Sequence, residues 1–190
     1  MPEIPIEPTA TAEWRALVQS AGSACGTALS EPVEAYLVFM LMRFSQRIQV
    51  GRRPLALDFL RGLQSPRTGQ GARRLRDTGD ECLLVCGLFP QRVRRRRVSC
   101  RYYVDLGRGA YGTLAQAGAD SDSEPFGALA RGFVGLMELL QAMRARRPEQ
   151  DLDPLDAAEL AQQTGSRAAW DRVAPADTTL MPHDADRHRH

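Results

Sequence analysis

The chain has 190 residues, of which 43% are hydrophobic and 25% charged, and its formal net charge at pH 7 is +2. This balance is typical of one globular domain and excludes a fibrous protein or a chain that is disordered throughout. The longest uncharged apolar run, 35–42, is too short to span a bilayer, so no membrane partner is predicted. The acidic, proline-containing first residues lack the features of a signal peptide, which predicts a cytoplasmic location.

Charge is distributed unevenly along the chain, and every basic residue is an arginine. Residues 41–119 carry sixteen arginines and five acids, whereas 1–40 and 120–190 are both net acidic. A basic middle between acidic ends indicates either that the ends fold back onto the middle or that the middle meets an anionic partner. Because lysine is absent, we attribute the high arginine content to codon usage rather than to selection at each position.

The spacing of apolar residues predicts an all-α fold, a compact bundle of five to seven helices in one domain. We assign residues 1–11 to an extended N-terminal arm, 12–173 to the helical domain and 174–190 to a disordered C-terminal tail. The domain opens with a short helix at 12–20, which is followed by a loop of small residues at 21–28.

The clearest predicted helix covers 32–48 and starts at Ser30-Glu31-Pro32, which combines a cap residue, an acid and a proline. Its first half is apolar on all sides, which is typical of a helix covered by several neighbours. A second long apolar helix is predicted at 125–146, and a weaker one follows at 153–170. We expect helices 32–48 and 125–146 to form the centre of the fold.

Two more helices are predicted between these, one starting at Pro54 and one over 75–89. The first presents four apolar side chains on one face: Leu55, Phe59, Leu60 and Leu63. In the second, Asp80 and Glu81 resemble helix surface rather than an acid/base pair, because adjacent residues face apart on a helix.

Residues 98–106 contain enough β-branched and aromatic residues to form a strand. However, apolar residues at helical spacing continue through them to Ala117. We favour a helix because a lone strand has no evident partner. Residues 107–112 match the dinucleotide-binding pattern GxGxxG, which needs a preceding strand and a following helix. Too few residues remain before Gly118 for a crossover helix, so a nucleotide site is disfavoured.

The strongest local signal is a group of six arginines within ten residues: Arg92, Arg94, Arg95, Arg96, Arg97 and Arg101. The positive charges of these arginines repel one another unless anions are near, and guanidinium groups pair well with phosphates. The segment 91–101 therefore predicts a nucleic acid or another polyanion as a partner. The competing interpretation is a solvated surface segment neutralised by the acidic loops, and no recognised nucleic-acid-binding motif accompanies the arginines.

The four cysteines are expected to be reduced thiols. Cys82 and Cys86 are four residues apart on a predicted helix and are interpreted as small buried hydrophobes. Cys100 lies inside the arginine-rich segment, where positive charge favours the nucleophilic thiolate, so it is a candidate reactive thiol. Because all three histidines lie in 183–190, no histidine-based catalytic set is predicted, and we predict no metal site and no cofactor.

These patterns favour a non-enzymatic binding or regulatory protein that acts through protein–protein contacts, with a partner protein or as a homo-oligomer. In this interpretation the apolar surplus of helices 32–48 and 125–146 forms the interface. One alternative is a nucleic-acid or anion-binding protein that uses segment 91–101. The other is a thiol-dependent enzyme or redox sensor at Cys100.

Overall fold

The computed structural model describes residues 8–45, 54–90, 98–118, 124–144 and 154–173. These ranges contain nine helices and no strand. The helices are α1 (Pro8–Cys25), α2 (Glu31–Ser45), α3 (Leu55–Leu63), α4 (Gly69–Leu88), α5 (Cys100–Ala117), α6 (Glu124–Arg131), α7 (Phe133–Arg144), α8 (Pro154–Thr164) and α9 (Arg167–Val173). The all-α prediction is confirmed, the predicted helix count is too low, and the predicted tail at 174–190 lies outside the described residues.

The helix count exceeds five to seven because two predicted helices are each divided at a glycine. The prediction at 125–146 corresponds to α6 and α7, which meet at Gly132. The last predicted helix is divided at Gly165, whose φ of 70° lies in the left-handed region that favours glycine. The hydroxyl of Ser166 then accepts a hydrogen bond from the N–H of Ala169 at 3.2 Å and caps α9.

Helix α1 is longer than predicted at both ends. It starts at Pro8, so residues 8–11 of the predicted arm are helical, and proline suits the first position of a helix. Residues 21–25, which we expected in a loop, continue α1. The helix ends in a Schellman motif at Gly26, whose φ is 63°.

The centre of the fold is α4, whereas we expected helices 32–48 and 125–146 in that position. Every residue from Thr78 to Gly87 is buried, because α4 packs against α3, α5 and α7. Asp80 and Glu81 lie in this buried stretch, so their predicted surface position is wrong. The prediction failed because charged side chains in a sequence indicate solvent, and only their tertiary partners show that they are buried.

The ambiguous segment after Val98 is helical, as the sequence analysis favoured. The hydroxyl of Ser99 accepts a hydrogen bond from the N–H of Tyr102 at 3.2 Å and caps α5 at its first turn. The GxGxxG pattern at 107–112 lies inside this helix. At Gly107 the helix packs closely against Phe133, and a phosphate-binding loop of the dinucleotide type does not form at this position.

Candidate functional site

An apolar surface covers the outward side of α3. It is formed by four exposed side chains: Ala56, Leu57, Leu60 and Leu63. The three leucines are 42%, 57% and 39% exposed, and with Ala56 they share about one third of the helix circumference. We call these four residues the α3 surface.

The opposite side of α3 holds the helix against the centre of the fold. Leu55 is buried, and a Cβ atom at Gly62 would lie only 2.7 Å from Cγ of Leu75, so α3 and α4 approach closely. Asp58 also accepts a hydrogen bond from Arg74 of α4 at 3.0 Å. These contacts fix which side of α3 faces outward.

The sequence analysis placed Leu60 and Leu63 on the same inward face as Leu55 and Phe59, and for Leu60 and Leu63 this is wrong. Helix α3 carries its two charged residues, Asp58 and Arg61, on one side, and its apolar residues cover more than half of the circumference. Apolar spacing alone therefore does not show which part of this wide apolar side meets the core. The width of the apolar side was the signal in the sequence, because it exceeds the stripe that a surface helix needs for packing on one core.

Arg61 borders the α3 surface, because it follows Leu57 by one helical turn and its side chain is exposed. No carboxylate in the described part of the chain lies within ion-pair distance of it. Arg67, in the turn after α3, is also exposed, whereas Arg73 lies on the side of α4 opposite Gly71 and Leu75, which face α3. The positive charge beside the leucines is therefore that of Arg61.

A second group of polar side chains lies in the centre of the fold, around Asp80 of α4. Its fully buried carboxylate accepts hydrogen bonds from the hydroxyls of Tyr36 at 2.5 Å and Tyr111 at 2.7 Å, and it pairs with Arg43. Burial raises the pKa of the Asp80 carboxyl, and the Arg43 guanidinium and the two hydroxyls oppose that shift. Because both carboxylate oxygens already have partners, we interpret this group as a link between α2, α4 and α5.

Of the six arginines predicted to bind anions, the structure describes Arg101 alone. Its exposed side chain lies 3.6 Å from the carboxylate of Asp105, one turn further along α5. Exposed pairs of this kind contribute little to stability, so the guanidinium can change partners readily. The other five arginines lie outside the described residues, and a nucleic-acid or polyanion partner stays a prediction.

The variant Arg94→Ala/Arg96→Ala should reduce the salt dependence of binding to duplex DNA. Each lost phosphate contact lowers the slope of log affinity against log salt concentration by about 0.9, so we expect a decrease of about 2. Fluorescence anisotropy at several salt concentrations measures this slope. Arg61→Ala/Arg67→Ala is the control, because it changes the net charge equally at another place. Equal effects of the two variants would contradict a specific role of segment 91–101.

The predicted reactive thiol, Cys100, is the first residue of α5 and is 8% exposed. Its Sγ atom lies 3.3 Å from Sγ of Cys86 on α4. Cys82 and Cys86 are both buried and free, as predicted, and burial raises the pKa of the Cys82 thiol. The enhanced reactivity of Cys100 stays a prediction.

A groove of about 560 Å³ runs between the end of α1 and the start of α2. Glu34 is the acidic residue that lines it, and its carboxylate accepts a hydrogen bond from Gln19 at 3.1 Å and pairs with Arg15 at 3.3 Å. The charge in this groove is therefore already neutralised. In the ranges that the structure describes, no group of three or more cysteine, histidine or acidic side chains is arranged to hold a metal ion.

No protein-family model, curated protein or solved structure matches this chain at a significant level. None of the helices within the described ranges is both long enough and apolar enough to cross a membrane. Function is therefore inferred from the chemistry of the surfaces and side-chain groups themselves, and the α3 surface places three exposed leucines beside an exposed arginine, Arg61.

Proposed function

We propose that this chain is a non-enzymatic binding protein that docks an acidic amphipathic helix of a partner protein on the α3 surface. The observation that carries the proposal is the exposure of three leucines on a helix whose inner side is already packed. Contiguous apolar groups bordered by charged side chains are typical of interaction sites. A helix suits this surface because its own apolar residues recur at the same one-turn spacing as the leucines.

The apolar contribution to such binding is moderate. Full burial of a leucine contributes about 1.5–3 kcal/mol, and roughly half of each leucine on the α3 surface remains exposed. The three leucines together therefore offer about 2–4 kcal/mol. This is sufficient for a small hot spot, but a stable complex also needs contacts at the border of the surface.

The charge of Arg61 beside the leucines favours an acidic partner over a second copy of this chain. Arg61 has no carboxylate partner among the described residues, so an acidic side chain of a bound helix can pair with it. A two-fold dimer through the same surface would bring the Arg61 side chains of two copies together. Because like charges repel, this arrangement is disfavoured.

The location of the interface differs from the one expected from sequence, on helices 32–48 and 125–146. The apolar residues of α2 that pack inside the bundle are Val33, Leu37, Val38, Met40 and Leu41. Among the large apolar residues in the described part of α2, only Phe39 is more than half exposed. The apolar residues that suggested an interface there are therefore buried inside the bundle. This favours α3 as the location of the interface instead.

The proposal is tested with Leu57→Ser/Leu60→Ser and a display library of sixteen-residue amphipathic helices whose polar positions are randomised. We expect the wild-type protein to enrich acidic residues at those positions. A selected peptide, measured by fluorescence anisotropy, should bind the double variant at least about tenfold more weakly, equivalent to about 1.4 kcal/mol. Phe39→Ser is the matched control, because Phe39 is 58% and Leu60 57% exposed.

Three outcomes would overturn the proposal. The first is enrichment of basic or uncharged peptides, which would contradict the role of Arg61. The second is equal loss of binding in Phe39→Ser and in the leucine variant, which would show nonspecific apolar contact. The third, measured by sedimentation velocity, is a wild-type dimer that Leu57→Ser/Leu60→Ser converts to a monomer, which would assign the α3 surface to self-association.

A further inference from the structure

Two thiols from different helices meet where α4 ends and α5 begins. Cys86 lies in the last turn of α4, and Cys100 is the first residue of α5. The thiol of Cys100 donates to Sγ of Cys86 at 3.3 Å, and the thiol of Cys86 lies 3.8 Å from the carbonyl oxygen of Cys100. The two sulfur atoms are therefore already directed at each other, about 1 Å beyond bonding distance.

We propose that Cys86 and Cys100 form a peroxide-sensitive dithiol that closes to a disulfide and locks the end of α4 to the start of α5. The oxidant is hydrogen peroxide or a small organic hydroperoxide. This site differs from the α3 surface in position and in chemistry, so it does not depend on the proposed binding function.

The reaction proceeds in two balanced steps. The sulfur of Cys100 first attacks one oxygen of the hydroperoxide, breaking the O–O bond to give a sulfenic acid and one molecule of water or alcohol. The sulfur of Cys86 then attacks the sulfenic sulfur of Cys100 and forms the S–S bond. The hydroxyl group of the sulfenic acid leaves and takes up the thiol proton of Cys86, so that it is released as water. In total, two thiols lose two electrons and two protons, and the hydroperoxide is reduced.

The assignment of the two roles follows from burial and position. Cys86 is fully buried, whereas Cys100 retains 8% exposure at a helix start, next to the exposed Arg101. The hydrogen bond with Cys100 and burial raise the pKa of the Cys86 thiol, so Cys86 stays protonated until the sulfenic acid forms. Cys100 is therefore the thiol that meets the oxidant, and Cys86 is the thiol that resolves the intermediate.

The other two cysteines are internal controls. Cys82 lies one turn before Cys86 on the same helix and is buried. Cys25 lies on α1, where its thiol is 3.7 Å from the carbonyl oxygen of Glu138 on α7. Within the described residues neither thiol has a hydrogen bond to another sulfur atom, so both should remain reduced after brief oxidation.

The bond is detected by treating the folded protein with hydrogen peroxide, removing the peroxide, blocking free thiols with N-ethylmaleimide in denaturant so that buried thiols react, and digesting with trypsin. Cleavage after arginine separates residues 77–92 from 98–101, so a Cys86–Cys100 disulfide joins these two fragments. Cys82 shares the first fragment, and the experiment is therefore repeated with Cys82→Ser. We expect the linked pair in wild type and in Cys82→Ser, and its absence in Cys100→Ser and Cys86→Ser.

Oxidation should also raise the melting temperature by about 5 °C, reversibly with dithiothreitol, because the bond closes a short connection between two helices. Circular dichroism of the reduced serine variants verifies that they fold. Any one of three results would overturn the proposal. The first is a disulfide that joins residues 77–92 to Cys25, and the second is a linked pair that is still found in Cys100→Ser. The third is complete alkylation of both Cys86 and Cys100 after peroxide treatment. An unchanged melting temperature of the oxidised protein would contradict the locking of α4 to α5.

Discussion

Replacing Asp80 with alanine should lower the free energy of unfolding by about 3–5 kcal/mol. The substitution removes the acceptor of two tyrosine hydroxyls, those of Tyr36 and Tyr111, and the ion-pair partner of Arg43. A buried donor that loses its acceptor costs about 1–3 kcal/mol, because it has also given up its hydrogen bonds to water. Urea denaturation followed by circular dichroism measures the loss.

Asp77→Ala is the matched control for this experiment. Asp77 lies one turn before Asp80 on α4, its side chain is partly exposed, and it lies 3.9 Å from the same guanidinium of Arg43. We expect its replacement to cost less than about 1 kcal/mol, as for other pairs that water can reach. Asp80→Asn, which keeps the size and one carbonyl acceptor, should fall between the two. Similar losses for Asp77→Ala and Asp80→Ala would contradict the central role of Asp80.

Gly107→Ala should destabilise the protein by about 2 kcal/mol, although alanine is the better helix former. A Cβ atom at this position would lie 2.5 Å from the ring of Phe133 and 3.0 Å from Cβ of Cys82, and both of these residues are fully buried. The phenyl ring cannot move aside without displacing α7 from α5. Chemical denaturation monitored by tryptophan fluorescence measures the change.

Gly112→Ala is the control within the same GxGxxG pattern. Outside the backbone of its own helix, a Cβ atom at Gly112 would have no neighbour within 4 Å. Here the helix propensity of alanine should dominate and stabilise the protein by about 0.5–1 kcal/mol. Changes of opposite sign in stability at the two glycines are the expected result for a packed helix. A neutral effect of Gly107→Ala would contradict the close approach of α5 to α7.

The positions of most helices could be predicted because their start signals act over a few residues. The predicted start at Ser30-Glu31-Pro32 agrees with α2, which begins at Glu31, and Pro54 precedes α3 as expected. Such signals depend on local backbone geometry, which the neighbouring residues largely determine. The breaks at Gly132 and Gly165 were missed because glycine is also tolerated inside a helix.

The candidate sites could be predicted only in part. The group around Asp80 connects residues 44 and 31 positions away in the chain, Tyr36 and Tyr111, so local spacing carried no sign of it. Cys100 was singled out for its arginine neighbours, whereas its sulfur contact to Cys86 depends on how α4 and α5 pack. The arginines at 92 and 94–97 lie outside the described residues, so their predicted role stays a prediction.

The all-helical character of this chain follows from local chemistry, because apolar periodicity and capping residues act within a few turns of backbone. The side of each helix that meets the core follows only from the assembled bundle. On α3, apolar residues cover more than half of the circumference, and close contact at Gly62 directs one part of this apolar side inward and leaves Leu57 and Leu60 in water. On α4, the charge of Asp80 is buried because hydroxyl and guanidinium donors from two distant helices surround it.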